Sequence, residues 1–323
     1  MTIEIISKHP PITRVMTGFY SLDHAFINDL GELGVPIGHC WEIFGTTHVG
    51  KSTFAYSLSG ILATNQKSNI VLCDFEGLDE KFLYRVLEGV GFSGKVNSVM
   101  EAEDEEQVDK MATLLESKDY CVAILDSISA ISPLAEQQGD TGEANMGRRA
   151  FIMAQLSRKA LHIFRFAKEP RTLILLNHWL PKIGSRGYNA PGGEVKSFLT
   201  TIRVLLKRVE EFPDGSYVLQ GEVKKNRWGF HGKKFYAFML SARGIHKGLT
   251  ALYDCTMLDK AEYKNGIVKM NNESLGRMSK FVKGAHDGNE ELFECFYKAL
   301  AENTDSGSEQ DEELVGSTDI SDD

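Results

Sequence analysis

Short, almost continuous apolar runs alternate with longer segments over the first two-thirds of the chain. The apolar runs predict buried strands, and they cover residues 40–44, 69–76, 121–126 and 172–178, with a weaker strand at 96–100. The longer segments have apolar residues at helical spacing, and they cover residues 54–62, 103–117 and 149–167, with another helix beginning near Asp79. This alternation predicts an α/β fold in which a mostly parallel sheet has helices on both faces.

The pattern changes after residue 200. Two strand-like segments at residues 201–206 and 216–220 flank Pro213-Asp214-Gly215, which predicts a hairpin. A further strand pair is expected across residues 228–232, so late antiparallel hairpins should form one edge of the sheet. From about residue 250 to residue 300 the pattern predicts a smaller, mainly helical unit.

Charge adds one feature that the apolar pattern does not contain. Residues 301–323 carry nine acidic side chains and no basic one, whereas the rest of the chain balances 36 acidic residues against 36 basic ones. A segment rich in Ser, Gly, Asp and Glu is expected to be disordered. The predicted organisation is a lead-in at residues 1–38, a core at 39–248, a small C-terminal domain at 249–300 and an acidic tail at 301–323.

Composition predicts a soluble protein of the cytosol. Hydrophobic residues make up 42% and charged residues 25% of the chain, and no apolar run approaches membrane-spanning length. The first ten residues lack the apolar segment and cleavage site of a secretory signal. The five cysteines have no C-x-x-C spacing, so reduced structural thiols are expected, with neither a disulfide nor a metal site.

One glycine-rich segment carries the strongest chemical signal. It has the G-x-x-x-x-G-K-S pattern of a phosphate-binding loop and comprises Gly45, Thr46, Thr47, His48, Val49, Gly50, Lys51, Ser52 and Thr53. A predicted strand precedes it and a predicted helix follows, so a chance match in a glycine-rich loop is the weaker interpretation. In such loops backbone N–H groups and the helix N-terminus bind phosphate oxygens. Lys51 is therefore expected at the β- and γ-phosphates of ATP, and Ser52 at Mg²⁺.

Polar residues also end three other predicted strands, where ligands of parallel sheets bind. Asp126 would hold Mg²⁺, directly or through water, and Glu76 would orient and deprotonate an attacking water molecule. A polar side chain in the Asn177-His178 pair could sense the γ-phosphate. The alternatives are that the two acids only cap their strands and that the histidine is structural.

Together these residues resemble the RecA family of recombinases, including its phage UvsX-type branch. The resemblance runs from about Thr17 to Leu300, and it rests on residues 17–23, 34–38, 74–76, 125–127 and 177–178 together with the phosphate-binding loop. It implies that Glu76 is the catalytic glutamate and that Phe82 contacts adenine. It also implies that His178 occupies the switch position, which is histidine in UvsX-like proteins.

The resemblance further implies two DNA-binding loops, one at residues 146–149 and one at residues 182–198. The residues expected to contact DNA are Arg148, Arg149, Lys182, Arg186, Tyr188, Gly192, Gly193 and Lys196. Basic side chains in glycine-containing loops can follow a phosphate backbone, and a tyrosine ring can stack on a base. Lys225 and Arg227 resemble two basic residues that reach a neighbouring subunit's ATP; the alternative is that they lie on a solvated strand face.

These features predict an ATP- and Mg²⁺-dependent recombinase that binds single- and double-stranded DNA and promotes strand exchange. It is expected to assemble with itself as a helical filament or ring, and to meet single-strand-binding and loader proteins. A hexameric helicase or clock-type ATPase on the same core is one alternative. A recombination mediator that forms no filament is another, because fewer than twenty residues precede Thr17 where the family has a longer helix. The acidic tail would either compete with DNA or only solubilise the protein.

Overall fold

The computed structural model describes residues 12–101, 103–132, 148–181, 188–189 and 198–306. The chain divides into two compact units, with the division between His246 and Lys247. The sequence places this boundary two residues later, after residue 248.

The first unit is built on a nine-stranded sheet. Its strands in chain order are β3 (Cys40–Gly45), β4 (Asn69–Asp74), β5 (Val96–Val99), β6 (Tyr120–Asp126), β7 (Thr172–His178), β10 (Ile202–Glu211), β11 (Tyr217–Asn226), β12 (Lys234–Leu240) and β13 (Gly244–Ile245). Two separate antiparallel pairs are formed by β1 (Arg14–Val15) with β2 (Val35–Pro36) and by β8 (Leu180–Pro181) with β9 (Tyr188–Asn189).

The spatial order of the large sheet is β13-β12-β11-β10-β3-β7-β6-β4-β5. The six strands from β10 to β5 are parallel. From β10 to β13 the neighbours are antiparallel. The predicted mostly parallel sheet with late antiparallel hairpins at one edge is therefore confirmed.

Helices cover both faces of this sheet. Among the described residues, the α-helices of the first unit are α1 (Tyr20–Ala25), α2 (Lys51–Asn65), α3 (Glu80–Gly89), α4 (Asp104–Glu116) and α5 (Arg148–Phe166). One hydrophobic cluster includes residues of α2 and α3, and a second includes residues of α4 and α5. Alternating β3 residues enter the two clusters, with Trp41 and Ile43 in the first and Cys40 in the second. Burial on both faces explains why the parallel strands have continuous apolar runs.

Local chemistry sets several helix ends. The Asp79 side chain accepts a hydrogen bond from the backbone N–H of Lys81 at 2.9 Å and so caps α3. The α2 helix begins at Lys51, three residues before the apolar pattern, because its first turn carries the polar end of the phosphate-binding loop. The α5 helix stops at Phe166, before Pro170.

The second unit contains α6 (Lys247–Met257), α7 (Met278–His286) and α8 (Glu294–Ser306), with Phe281, Phe293 and Phe296 buried. It also contains an antiparallel sheet of β14 (Glu262–Lys264), β15 (Ile267–Met270) and β16 (Glu273–Arg277), which the sequence analysis missed. These strands are short and largely exposed, so they lack a clear apolar alternation. Their turns were the readable signal, since Asn265-Gly266 and Asn271-Asn272 all have positive φ angles, as two-residue hairpin turns require.

The last helix extends past the residue at which the sequence places the start of the acidic tail. The α8 helix continues to Ser306, six residues into the segment expected to be disordered, because its buried residues Ala299 and Leu300 anchor the helix just before that segment. Residues 307–323 lie outside the described part. Among the described residues, no helix combines the length and apolar character needed to cross a membrane.

Candidate nucleotide site

The phosphate-binding loop joins the end of β3 to the start of α2. Thr46, Thr47 and His48 are exposed, whereas Val49 is buried and anchors the loop. Gly50 has a φ angle of 104°, a conformation that side-chain-bearing residues rarely adopt. The predicted strand, loop and helix are thus all present, and the exposed part of the loop is free to receive a phosphate group.

Lys51 is the buried cation of this loop. The residue is 7% exposed, and its Nζ donates a hydrogen bond to the Thr46 carbonyl oxygen at 3.0 Å. Burial lowers the pKa of the Lys51 ammonium group, and the carboxylates of Glu76 and Asp126 oppose this shift. The two acids predicted from the strand ends therefore lie close enough to Lys51 to act on its charge.

Asp126 ends β6 and is 3% exposed. Its Oδ2 accepts a hydrogen bond from the Tyr56 hydroxyl at 2.8 Å, and the Ser52 hydroxyl also bonds to this carboxylate. Burial raises the pKa of Asp126 to about 6, the bonds from Ser52 and Tyr56 oppose the rise, and Glu76 and Asp74 add to it. The side chain is thus a buried carboxylate that a nearby cation would stabilise.

The residues around Asp126 fit a magnesium ion. Mg²⁺ prefers oxygen ligands and is usually bound through one or two carboxylates, phosphates and water. Asp126 and the Ser52 hydroxyl, in hydrogen-bonding contact, provide this donor set. Among the described residues, no group of three or more His, Cys, Asp or Glu side chains could hold a metal ion.

Glu76 lies two residues beyond β4, where it meets the ends of β6 and β7. The Ser127 hydroxyl donates a hydrogen bond to its Oε1, and the Nε2 of His178 lies 3.2 Å from the same oxygen. Burial alone would raise the pKa of Glu76, but the bonds from Ser127 and His178 and the charge of Lys51 lower it overall. Glu76 is therefore held as a carboxylate near neutral pH, which is the form that accepts a proton.

His178 stands beside the phosphate-binding loop. It is paired with Gly45 in the β3–β7 ladder. The next residue, Trp179, donates its backbone N–H to the Gly45 carbonyl oxygen at 3.0 Å. The side chain of His178 is 18% exposed. The structure therefore brings together the loop, Asp126, Glu76 and His178, all of which the sequence analysis selected.

The β10–β11 hairpin braces the loop with two residues that the sequence analysis missed. The Arg208 Nη2 donates to the His48 carbonyl oxygen at 2.7 Å, and its guanidinium lies 4.0 Å from the centre of the Tyr217 ring. The Tyr217 hydroxyl bonds to the Thr53 side chain. Only the order of the strands brings this hairpin to the loop, so no local motif identifies either residue.

Lys225 and Arg227 lie at the end of β11 opposite to Tyr217, the residue that packs on the loop. Lys225 is eight residues beyond Tyr217 along β11, which corresponds to about 26 Å of extended strand. Its Nζ donates to the Thr200 carbonyl oxygen at 2.8 Å, and Arg227 is exposed. The structure does not bring this pair together with Lys51, Glu76 and Asp126.

Nine further residues were predicted to contact adenine or DNA. Phe82 lies on α3, partly buried against the first hydrophobic cluster. Arg148 and Arg149 form the start of α5, and Tyr188 belongs to β9. The other predicted DNA contacts lie outside the described residues, and these are Lys182, Arg186, Gly192, Gly193 and Lys196. The roles of all these residues stay predictions.

Curated relatives of this chain are named Protein RecA. The protein from Sulfurovum sp. (strain NBC37-1) is 29% identical over 221 residues, which cover 66% of this chain and 60% of that protein. The protein from a Nitratiruptor species is 30% identical over 221 residues, covering 66% and 61%. A longer match, to the protein from Campylobacter fetus subsp. fetus (strain 82-40), is 25% identical over 319 residues and covers 95% and 90%.

These matches show similarity to RecA proteins but do not identify a branch. The chain spans about 60% of the length of the first two relatives. The placement near the phage UvsX-type branch is not supported by them. A model of the RecA N-terminal domain matches residues 4–227, which is more than half of the chain. The chain therefore belongs to the RecA N-terminal domain family.

Proposed function

We propose that this protein is an ATP-dependent recombinase that binds single-stranded DNA, forms a nucleoprotein filament and promotes strand exchange with double-stranded DNA. The observation that carries the proposal is the convergence of Lys51, Asp126 and Glu76 beside an open phosphate-binding loop. Membership of the RecA family supports the step from nucleotide chemistry to recombination.

The loop residues would bind the phosphates of ATP, with Lys51 against the β- and γ-phosphates. Ser52 and Asp126 would hold Mg²⁺, which when bound neutralises charge on the phosphates. Glu76 accepts a proton from the attacking water, since its lowered pKa keeps it ionised. His178 would report the γ-phosphate to the DNA-binding loops, because its ring contacts Glu76 beside the loop. A histidine at this position is also the feature on which a finer placement near UvsX-type proteins would rest.

Lys225 and Arg227 would complete the ATP site of a neighbouring subunit. Lys225 lies at the opposite end of β11 from Tyr217, which packs on the loop, and this position suits a surface that meets another protomer. A cation supplied across an interface stabilises charge that develops on the transferred phosphoryl group. Hydrolysis would then depend on assembly along DNA.

The first test measures ATP binding and hydrolysis, with and without single-stranded DNA, in the wild type and in Glu76→Gln. We expect DNA to stimulate hydrolysis in the wild type. The variant should bind ATP with unchanged affinity but hydrolyse it about 100- to 10,000-fold more slowly, because an amide cannot accept the proton. Unchanged turnover in the variant would remove Glu76 from the catalytic role.

The second test distinguishes the assemblies. Electron microscopy of the wild type with a slowly hydrolysed ATP analogue and single-stranded DNA should reveal helical filaments. Closed rings would instead favour a hexameric ATPase. Isolated protomers on DNA would favour a mediator that acts without filaments.

A further inference from the structure

A buried carboxylate links three neighbouring strands of the sheet. Glu42 on β3 is fully buried, and it shares a sheet face with Cys40, which belongs to the cluster of α4 and α5. Its Oε1 accepts a hydrogen bond from the Asn177 Nδ2 on β7 at 2.8 Å. Its Oε2 accepts one from the Arg203 Nε on β10 at 2.6 Å. A carboxylate without access to water is held in place by such partners, because it cannot exchange them for solvent.

The first partner leads to the nucleotide site. Asn177 is fully buried, and while its Nδ2 donates to Glu42, its Oδ1 accepts the backbone N–H of His178 at 3.0 Å. The two ends of this amide have different hydrogen-bonding capacity, so the amide cannot reverse without losing both bonds. Glu42 thereby fixes the orientation of Asn177 and the peptide that begins His178.

The second partner of Glu42, Arg203, connects it to the surface that carries Lys225 and Arg227. Arg203 is the register neighbour of both Glu42 on β3 and Lys225 on β11. Its side chain is 29% exposed, and its guanidinium lies 4.9 Å from the centre of the Phe44 ring. Burial lowers the pKa of Lys225, and the positive charge of Arg203 lowers it further, so Lys225 lies within reach of the charge of Arg203.

The contacts form one continuous path across β11, β10, β3 and β7, which are adjacent in the sheet. The path runs from Lys225 through Arg203, Glu42 and Asn177 to His178, whose ring then meets Glu76. Glu42 is the central residue of the path, because one of its oxygens bonds to Asn177 and the other bonds to Arg203.

We propose that Glu42 is a positioning residue that couples the Lys225 edge of a subunit to the His178 switch of the same subunit. This inference rests on the proposed function, in which Lys225 meets a neighbour's ATP and His178 senses the γ-phosphate. Phosphate oxygens that engage Lys225 offset its repulsion of Arg203, which changes the position of Arg203 against Glu42. Glu42 passes that change to Asn177 and the His178 peptide, so occupancy of one ATP site alters the geometry of the next.

The test is a double-mutant cycle read at His178 itself, in protein without nucleotide. The histidine ring signals are recorded by nuclear magnetic resonance on histidine-labelled protein, and the His178 signal is the one that disappears in His178→Gln. We expect Lys225→Ala to shift this signal, and Glu42→Gln to reduce that shift by at least about half. Glu222→Gln is the matched control, since it makes the same change on β11 at a residue paired with Lys224, and it should leave the shift intact.

Two outcomes overturn the proposal: no shift in Lys225→Ala, or a shift of equal size in the Glu42→Gln background. If Glu42→Gln does not fold, Arg203→Gln replaces it in the cycle, because Arg203 belongs to the same path but is partly exposed. Kinetics give an independent reading, in which Glu42→Gln should lower kcat about 10- to 100-fold with the nucleotide Kd unchanged. A wild type that hydrolyses no ATP would end the proposed function, whereas the resonance cycle would still decide the coupling.

Discussion

Gly50 shows how closely a single residue of the phosphate-binding loop is constrained. Its φ angle of 104° already disfavours any side chain. A Cβ atom at this position would meet the Tyr217 hydroxyl and lie 3.0 Å from two carbons of the Tyr217 ring. The residue is thus required both by the backbone and by the hairpin that packs on the loop.

We predict that Gly50→Ala loses nucleotide binding and melts at a lower temperature than the wild type. The matched control is Gly31→Ala, because Gly31 also has a positive φ angle, 77°, but a Cβ atom added there would meet no other atom within 4 Å. Both variants should lose about 1–2 kcal/mol from the backbone alone, and only Gly50→Ala should lose more. Calorimetric titration with ATP and thermal melts measure the two effects. Equal behaviour of the two variants would mean that the contact with Tyr217 is unimportant.

At the scale of elements, the β10–β11 hairpin acts as a brace for the loop. We predict that Arg208→Gln weakens ATP binding about three- to tenfold, since it removes a charged hydrogen bond to the His48 carbonyl. Lys207→Gln is the control, because it removes the same charge from the exposed neighbouring position on β10. Nucleotide titrations compare the variants. If both variants weakened ATP binding equally, the effect would come from the general loss of positive charge and not from the specific contact between Arg208 and the loop.

The parts that the sequence predicted were those with a local signature. Lys51 follows from the loop pattern, and Glu76 and Asp126 follow from their places after apolar runs that form parallel strands. Such signals need no knowledge of which strands are neighbours. The short sheet of the second unit had only turn residues as a signal, because its exposed strands carry no burial pattern.

The residues that were missed depend on strand order. Glu42 was readable as one acidic residue inside an apolar strand, and a buried acid requires partners. Its partners Asn177 and Arg203 are 135 and 161 residues away, so the sequence could not identify them. The same holds for Arg208, which reaches the loop because β10 lies beside β3.

Charge is unevenly distributed over the whole molecule. The α8 helix ends at Ser306, and the seventeen residues beyond it contain seven acidic side chains and no basic one. These acids can compete with DNA for cationic groups only over short distances, since screening reduces their reach to about 10 Å at 0.1 M ionic strength.

We predict that deletion of residues 307–323 strengthens DNA binding, with the largest gain at low salt. Ending the deletion at the helix boundary keeps α8 intact. A tail of equal length with Asn and Gln in place of the seven acids separates charge from length, and it should behave like the deletion. DNA affinity is measured over a salt series. Equal affinity of the wild type and both variants at every salt concentration would leave the tail only a solubilising role.

Lys225 and Arg227 provide the test that depends on the whole assembly. We predict that Lys225→Ala/Arg227→Ala protein binds ATP nearly normally but hydrolyses it poorly, even with DNA, because each site lacks the cations of its neighbour. Mixing it with Glu76→Gln protein should restore part of the turnover. In the mixture, some interfaces join an intact Glu76 from the double variant to intact cations from the other protein, whereas neither protein alone can form such an interface. DNA-stimulated hydrolysis is measured over a range of mixing ratios, in mixtures that are first demonstrated to co-assemble. Recovery should peak at intermediate ratios, and its absence would mean that the pair does not act across the interface. Full activity of the double variant alone would exclude both residues from catalysis.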